Sequence, residues 1–320
     1  MKSVLITGAI GFIGSHLAEN LLKNGFKITG IDNFSGAYDK KYYLDNLNLL
    51  NKHKYLTFNK INLLNKKAVC FILKKKRFDY IIHCAAKTNV RKSTKNPHQY
   101  LKNNVLGTQI LLEAIKQYNP LSKIVMFSSS SVYGKQRGIP FRENMVPNPI
   151  SPYGFSKYLM ELVAKYYSDN YKLRIVILRP FSVYGPRGRE DMLPSILLKS
   201  VKNDALFTQY GNDKNNQRDW TYINDVVKVI TKIVNNYSFK SYEIFNIGQS
   251  HPIGIQSFVK KFCGVVGKKI KINQVSRLNI EIPIVSADIT KAEKILKFKA
   301  KINLSSGLQN LLLQLNEKKN

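Results

Sequence analysis

Hydrophobic positions follow two alternating patterns along the first half of the chain. Short apolar runs at 4–6, 27–31, 55–58, 80–84, 123–127 and 174–178, rich in Ile, Val and aromatic side chains, read as buried strands. Between them the apolar period becomes helical. Leu17, Ala18, Leu21 and Leu22 share one helix face, and longer helical patterns cover 97–118 and 152–171. Strands alternating with helices predict an α/β fold, a Rossmann-type doubly wound parallel sheet with helices on both faces. Ligands of such sheets lie beyond the carboxyl ends of the strands, so residues just after each strand are the first candidates for chemistry.

The first strand runs into Thr7-Gly8-Ala9-Ile10-Gly11-Phe12-Ile13-Gly14, which turns into the first helix. Glycine at 8, 11 and 14 lets backbone approach a pyrophosphate, whose charge a helix N-terminus favours. Gly8, Gly11, Phe12, Ile13 and Gly14 are therefore cofactor candidates. The second strand ends in Asp32-Asn33. An acidic residue at that distance from the glycines accepts hydrogen bonds from a free ribose 2′-hydroxyl and repels a 2′-phosphate, which predicts NAD rather than NADP.

Composition changes the picture in two respects. Cys70, Cys84 and Cys263 have neither metal-ligand nor disulfide spacing, and no apolar run is long enough to span a bilayer. Met1 leads directly into a strand, so the reading is a cytoplasmic protein with no metal and no membrane insertion. The excess of Lys+Arg (51) over Asp+Glu (20), formally +31, raises the question of nucleic acid. The lysines are dispersed, and their tightest run, Lys74-Lys75-Lys76-Arg77, falls at a predicted helix end, where cations are favoured. That predicts solvated basic faces able to attract an anionic small molecule, and no specific nucleic-acid partner.

The chemistry is concentrated after the fifth strand. Ser128-Ser129-Ser130-Ser131-Val132-Tyr133-Gly134 places hydroxyls at a strand terminus, and Ser151-Pro152 is suited to cap and open a helix. Tyr153 and Lys157, four apart, share a face near that helix's start. An ammonium near a phenol lowers its pKa, as do a helix N-terminus and oxidised nicotinamide, making Tyr153 a general base near neutral pH. After the fourth strand, the small residues Ala85 and Ala86 let backbone pass close to a cofactor.

These motifs together resemble the extended short-chain dehydrogenase/reductase family, and within it the NAD-dependent nucleotide-sugar epimerases and dehydratases. The motif match covers nearly the whole chain and is densest from 2 to 225. Within that group it most resembles UDP-glucuronate and UDP-glucose 4-epimerases. The resemblance implies that Ser129, Tyr153 and Lys157 are catalytic: Tyr153 exchanges the sugar hydroxyl proton, Lys157 binds the nicotinamide ribose, and Ser129, helped by Ser130, bonds the reacting hydroxyl. It also implies cofactor contacts from Asn62, Leu63, Ala85, Ala86, Asn104 and Phe181, with Asn62 standing where many relatives carry aspartate. Val90, Arg91, Ser182, Arg189, Arg218 and Arg277 fall at substrate positions, Ser182 and Arg189 toward a sugar carboxylate and Arg218 toward the diphosphate. Asp219 and Asp225 are expected to hold the neighbouring loop and cap the next helix.

Related 4,6-dehydratases carry an Asp-Glu pair where this chain has Ser130 and Ser131. Elimination of water needs an acid and a base that serine does not supply. The implied reaction is oxidation and re-reduction at one carbon, that is, epimerisation at C4 of a UDP-sugar (UDP-glucuronate, UDP-glucose or UDP-N-acetylglucosamine type). Another nucleotide-sugar reaction of the family, or a non-catalytic NAD-binding module, is the alternative. The expected division is a Rossmann domain over 1–180 and an interleaved sugar-nucleotide-binding part over 181–320, in a homodimer. One segment departs from the family: Arg277-Leu278-Asn279-Ile280-Glu281 stands where relatives carry R-P-G-D or Q-P-G-D.

Overall fold

A computed structural model describes residues 1–36, 39–278 and 280–317. Asn279, inside the departing segment, lies outside the described residues. Six parallel strands from the N-terminal part build most of the main sheet: β1 (Ser3–Thr7), β2 (Lys27–Asp32), β3 (Leu56–Lys60), β4 (Tyr80–His83), β5 (Lys123–Phe127) and β6 (Arg174–Pro180). The order is β3-β2-β1-β4-β5-β6, and the strand Tyr242–Ile247 adds in parallel beside β6. The sheet is doubly wound, with its switch point between β1 and β4.

Side chains alternate between the two faces as the period of a strand requires. Val4, Ile6, Val125 and Phe127 join a core with the helices Phe12–Lys23 and Ile223–Asn236. Leu5, Ile124 and Met126 join the opposite core with the helices Lys66–Lys75, Gly107–Tyr118 and Pro152–Tyr171. Both faces of these strands are buried, which explains why they read as continuous apolar runs. Lys74 and Lys75 do lie in the last turn of their helix.

Residues beyond 180 fold back onto the sheet as well as forming small sheets of their own. Gln217–Tyr222 pairs with Ser182–Tyr184 and Pro252–Gly254, and Phe207–Tyr210 pairs with Ile272–Val275. Helix Ile223–Asn236 meets the first helix, where the Thr231 hydroxyl donates to Asn20 Oδ1 at 2.8 Å. Asp219 accepts backbone N–H bonds from Gln249, Ser250 and Ala287, and Asp225 accepts from Lys301 and Ile302. Both carboxylates therefore fasten loops.

The helical pattern over 97–118 is not one α-helix. Pro97–Tyr100 and Gly107–Tyr118 are α-helical, and Leu101–Leu106 between them is a π-helix. The extra residue per turn shifts the faces on either side, and such bulges are frequent at functional sites.

Candidate active site

Beyond the ends of β1, β2 and β4 lies a cleft lined by Gly8, Gly11, Phe12, Ile13, Gly14, Asp32, Asn33, Asn62, Leu63, Ala85 and Ala86. Gly8 has φ +69°, and a Cβ there would stand 2.8 Å from Ala85 N, so that position admits only glycine. At Gly14 a Cβ would lie 2.0 Å from Gly8 O, so the third glycine brings helix and strand into contact. Gly11 caps the helix with no side-chain hydrogen bond, leaving its first turn's N–H groups open toward an anion. Asp32 accepts from Phe34 N at 2.9 Å, and burial pushes its carboxyl up. A backbone cradle with an acid at the second strand's end fits a dinucleotide carrying a free 2′-hydroxyl.

Sequence reasoning missed part of this lining: Tyr43 from the helix Lys40–Asn51, Thr88, Gln99, Tyr100 and Asn103. Tyr43 had no signal, since it stands on no strand end. Tyr100 precedes Asn104 by four, a spacing that puts both on one side of the helical run.

The Tyr153 ring packs edge-on against Tyr100 at 6.2 Å, at the cleft's flank. Its helix begins as the sequence implied, with Ser151 Oγ accepting from Gly154 N at 3.1 Å and Pro152 in the first turn. Ser129 lies just past β5 and caps the short turn Ser130–Val132, accepting from Ser131 N at 3.1 Å; its hydroxyl is the hydrogen-bonding neighbour of the Tyr153 phenol. Ser128 Oγ beside it is buried without a partner.

Lys157 and Tyr153 differ in their surroundings. In this structure the Lys157 ammonium reaches down to donate to Phe127 O and contacts Met160 Sδ at 3.5 Å, not the Tyr153 phenol. Burial pushes Lys157 down to about 8, against the opposing charge of Glu161. Glu161 in turn holds Arg179 through two bonds of 2.9 and 2.6 Å, a buried pair whose disruption costs about 3–5 kcal/mol. The Tyr153 phenol is raised by burial rather than lowered, and the groups opposing that rise are Ser129 and the cation Arg189.

Arg189 lines the cleft. Its Nε donates to Asp191 Oδ1 at 2.9 Å, and Asp191 Oδ2 accepts from Asn89 Nδ2 across the cleft. Arg187, also in this loop, pairs instead with Glu19 at 2.8 Å on the first helix. Ser182 stands in the small sheet, registered against Trp220.

Four expected cofactor residues, Tyr153, Lys157, Phe181 and Asn104, are not among those lining the cleft. Phe181, in the break between the strands Arg174–Pro180 and Ser182–Tyr184, is buried against Tyr133 and Phe141. Asn104, in the π-helix, is buried and fully bonded: Oδ1 accepts from Lys87 N at 2.7 Å, and Nδ2 donates to Lys87 O and Ser156 Oγ, both at 2.9 Å. Ser156 Oγ donates to Tyr153 O at 2.8 Å. The chain continues in the other direction. Thr108 Oγ1 donates to Asn104 O at 2.6 Å, so it accepts from His83 Nε2 at 2.9 Å. His83 Nδ1 then accepts from Thr7 Oγ1 at 2.7 Å. Burial, with the charge of Lys157, pushes His83 down to about 3. This buried chain braces the cleft walls against the helix that carries Tyr153.

Arg91, Arg218 and Arg277 come together from three separate segments. Arg91, in the helix Val90–Lys95 that starts at Val90, donates from Nε to Glu281 Oε1 at 2.8 Å and lies 4.0 Å over the Tyr210 ring. Arg218 Nη1 donates to Gln217 O at 2.8 Å and Pro283 O at 3.2 Å. Arg277 Nη1 donates to Leu278 O and Glu281 O. Thr88 and Lys92, on either side of Arg91, line the cleft, so this cationic group adjoins it.

A glycine cradle at the switch point, with a Ser–Tyr pair and a buried lysine beside it, defines the class as an extended short-chain dehydrogenase/reductase. The chain belongs to the GDP-mannose 4,6 dehydratase family, whose profile matches residues 5–311. It is 35% identical over 311 residues to a UDP-glucuronate 4-epimerase of Thermodesulfobacterium geofontis, covering 97% of this chain and 94% of that protein. The fold superposes with a TM-score of 0.92 on UDP-glucuronic acid 4-epimerase from Bacillus cereus in complex with UDP-glucuronic acid and NAD, at 34% identity and 99% coverage of both chains. UDP-glucose 4-epimerase from Thermotoga maritima with UDP-glucose superposes at 0.89, with 26% identity over 99% of this chain and 100% of that one.

Proposed function

We propose that the protein is an NAD-dependent 4-epimerase of UDP-sugars, with an acidic sugar, UDP-glucuronate, as its substrate. The carrying observation is the group formed by Ser129, Tyr153 and Arg189: a phenol with a hydroxyl neighbour and a cation facing both it and the cleft. In this reading Tyr153 takes the C4 hydroxyl proton and later returns it, with Ser129 orienting that hydroxyl. NAD would be held by the Gly8–Gly14 turn and Asp32, and would supply the hydride acceptor. Lys157, its ammonium anchored by Phe127 O, would bind the nicotinamide ribose.

Ser130 and Ser131 are hydroxyls, which at neutral pH neither protonate a leaving hydroxyl nor take a proton from carbon, so the keto sugar is reduced again rather than dehydrated. Arg91, Arg218 and Arg277 hold the diphosphate while the sugar ring turns over, and Val90, Ser130, Ser182 and Arg189 line the sugar side. The division of labour is then cofactor on 1–180 and sugar nucleotide on 181–320, with Val90, Arg91, Ser129, Ser130 and Tyr153 reaching the sugar nucleotide from the first part.

Incubating the purified protein with UDP-glucuronate, UDP-glucose and UDP-N-acetylglucosamine, and separating the products, tests the reading. Conversion to the C4 epimer, fastest for the acidic sugar, is expected; loss of water or CO₂ from the sugar would overturn it. We also infer a homodimer through the exposed apolar side chains Leu101, Leu106, Phe155 and Leu162 on the paired helical segments. A monomeric mass by light scattering would refute this. No helix among the described residues is long and apolar enough to cross a membrane, and the three cysteines are free. Free thiols suit a reducing, cytoplasmic setting, which cell fractionation would test.

A further inference from the structure

The segment that departs from the family carries a carboxylate into the arginine group. Glu281 Oε1 accepts from Arg91 Nε at 2.8 Å, and its Oε2 lies 4.0 Å from Arg218 Nη2. Among the described residues no other carboxylate pairs with Arg91, Arg218 or Arg277. The two carboxylate oxygens span two guanidinium groups, as two oxygens of a phosphate do. We propose that Glu281 is a resident anion of the diphosphate site, which competes with the substrate for Arg91 and Arg218 and so sets how tightly the nucleotide is held. This rests on the preceding assignment of that site to a nucleoside diphosphate.

The alternative role for Glu281, holding the arginines in position, is already filled by other contacts. Arg91 is stacked on Tyr210, and Arg218 is fixed by two backbone carbonyls. The turn that carries Glu281 is closed without its carboxylate: Glu281 N donates to Leu278 O at 3.0 Å, and the Arg277 guanidinium donates to Glu281 O. What the carboxylate adds is charge. The guanidinium of Arg218 is pushed down to about 10 by burial, and the charges of Arg277 and Arg91 act in the same direction against Glu281 alone. Three cations facing one anion leave an excess that a diphosphate satisfies better than a carboxylate. Glu281 must yield when the diphosphate arrives and returns when it leaves.

Glu281→Gln keeps the shape and the amide oxygen that accepts from Arg91, and removes only the charge. UDP and uridine binding to wild type and variant, both as purified with any bound cofactor, are compared by calorimetry at about 0.1 M salt. The variant is expected to bind UDP about 3- to 10-fold more tightly, the scale of one partly exposed ion pair, with uridine unchanged. KM and kcat for the sugar nucleotide should fall together, because product is held longer. Glu281→Ala should also tighten UDP, whereas Arg91→Ala should weaken it. Equal or weaker UDP binding by Glu281→Gln would overturn the competition while leaving the substrate class intact. Failure of wild type to bind UDP at all would overturn the underlying assignment, and this inference with it.

Discussion

Arg189 is the residue whose removal separates two effects, one on the base and one on the sugar. Its side chain is 24% exposed and paired with Asp191, so its field is partly screened. An opposite charge near a titrating group favours its ionised form, and screening leaves this cation a modest share of that effect. The sign follows from its effect on Tyr153, where the cation opposes a rise caused by burial. Arg189→Ala therefore raises the phenol further and moves the ascending, acid-side limb of the kcat profile to higher pH for every UDP-sugar. A charged hydrogen bond to a C6 carboxylate adds about 1.5–3 kcal/mol for the acidic substrate alone, roughly 10- to 100-fold in kcat/KM. Arg189→Lys restores the pH limb but not the forked contact. The assay is kcat/KM for UDP-glucuronate and UDP-glucose across pH 6–10, for wild type and both variants. An unmoved limb would refute the action of Arg189 on Tyr153. Parallel losses for both sugars would remove the case for glucuronate and leave a UDP-sugar of unspecified charge.

Tyr153→Phe should retain NAD and UDP-sugar yet lose turnover by about 10²- to 10⁴-fold, and Ser129→Ala should lose less; wild-type turnover in the tyrosine variant would sink the assignment. Asp32 should make the enzyme use NAD, preferably already bound on purification, and activity only with added NADP would contradict that. His83 should stay neutral with its proton on Nε2 through pH 5–7, as ¹⁵N spectra can show, because its partners fix that tautomer. Its folded pKa of about 3 lies below the unfolded value of about 6.5, so the unfolded chain binds the extra proton. Its stability contribution is full above about pH 6.5 and is lost as pH falls toward 3; acid unfolding insensitive to His83→Gln in that window would argue against the buried chain.

The sheet and the glycine turn were legible because local geometry dictates them. Strands buried on both faces must be apolar at every position, and only glycine fits where Gly8 meets Ala85 or Gly14 meets Gly8. The π-helix at Leu101–Leu106 was not legible, because the apolar spacing of 97–118 continues on either side and one added residue leaves no compositional mark. The Tyr153–Lys157 spacing was read correctly as one helix face, but spacing does not say where a long side chain ends. Lys157 follows the face inward to Phe127 O, and the cation that reaches Tyr153 arrives from a loop 36 residues later in sequence, at Arg189. The segment 277–281 shows the same limit from the opposite side. As a string it is only a failed motif. In three dimensions its odd carboxylate meets two arginines drawn from positions 91 and 218, a convergence set by the crossing of three chain segments. Where local rules are obeyed the sequence announces the site. Where a charge is delivered from far along the chain, its sign is written in the sequence but its target emerges only from the fold.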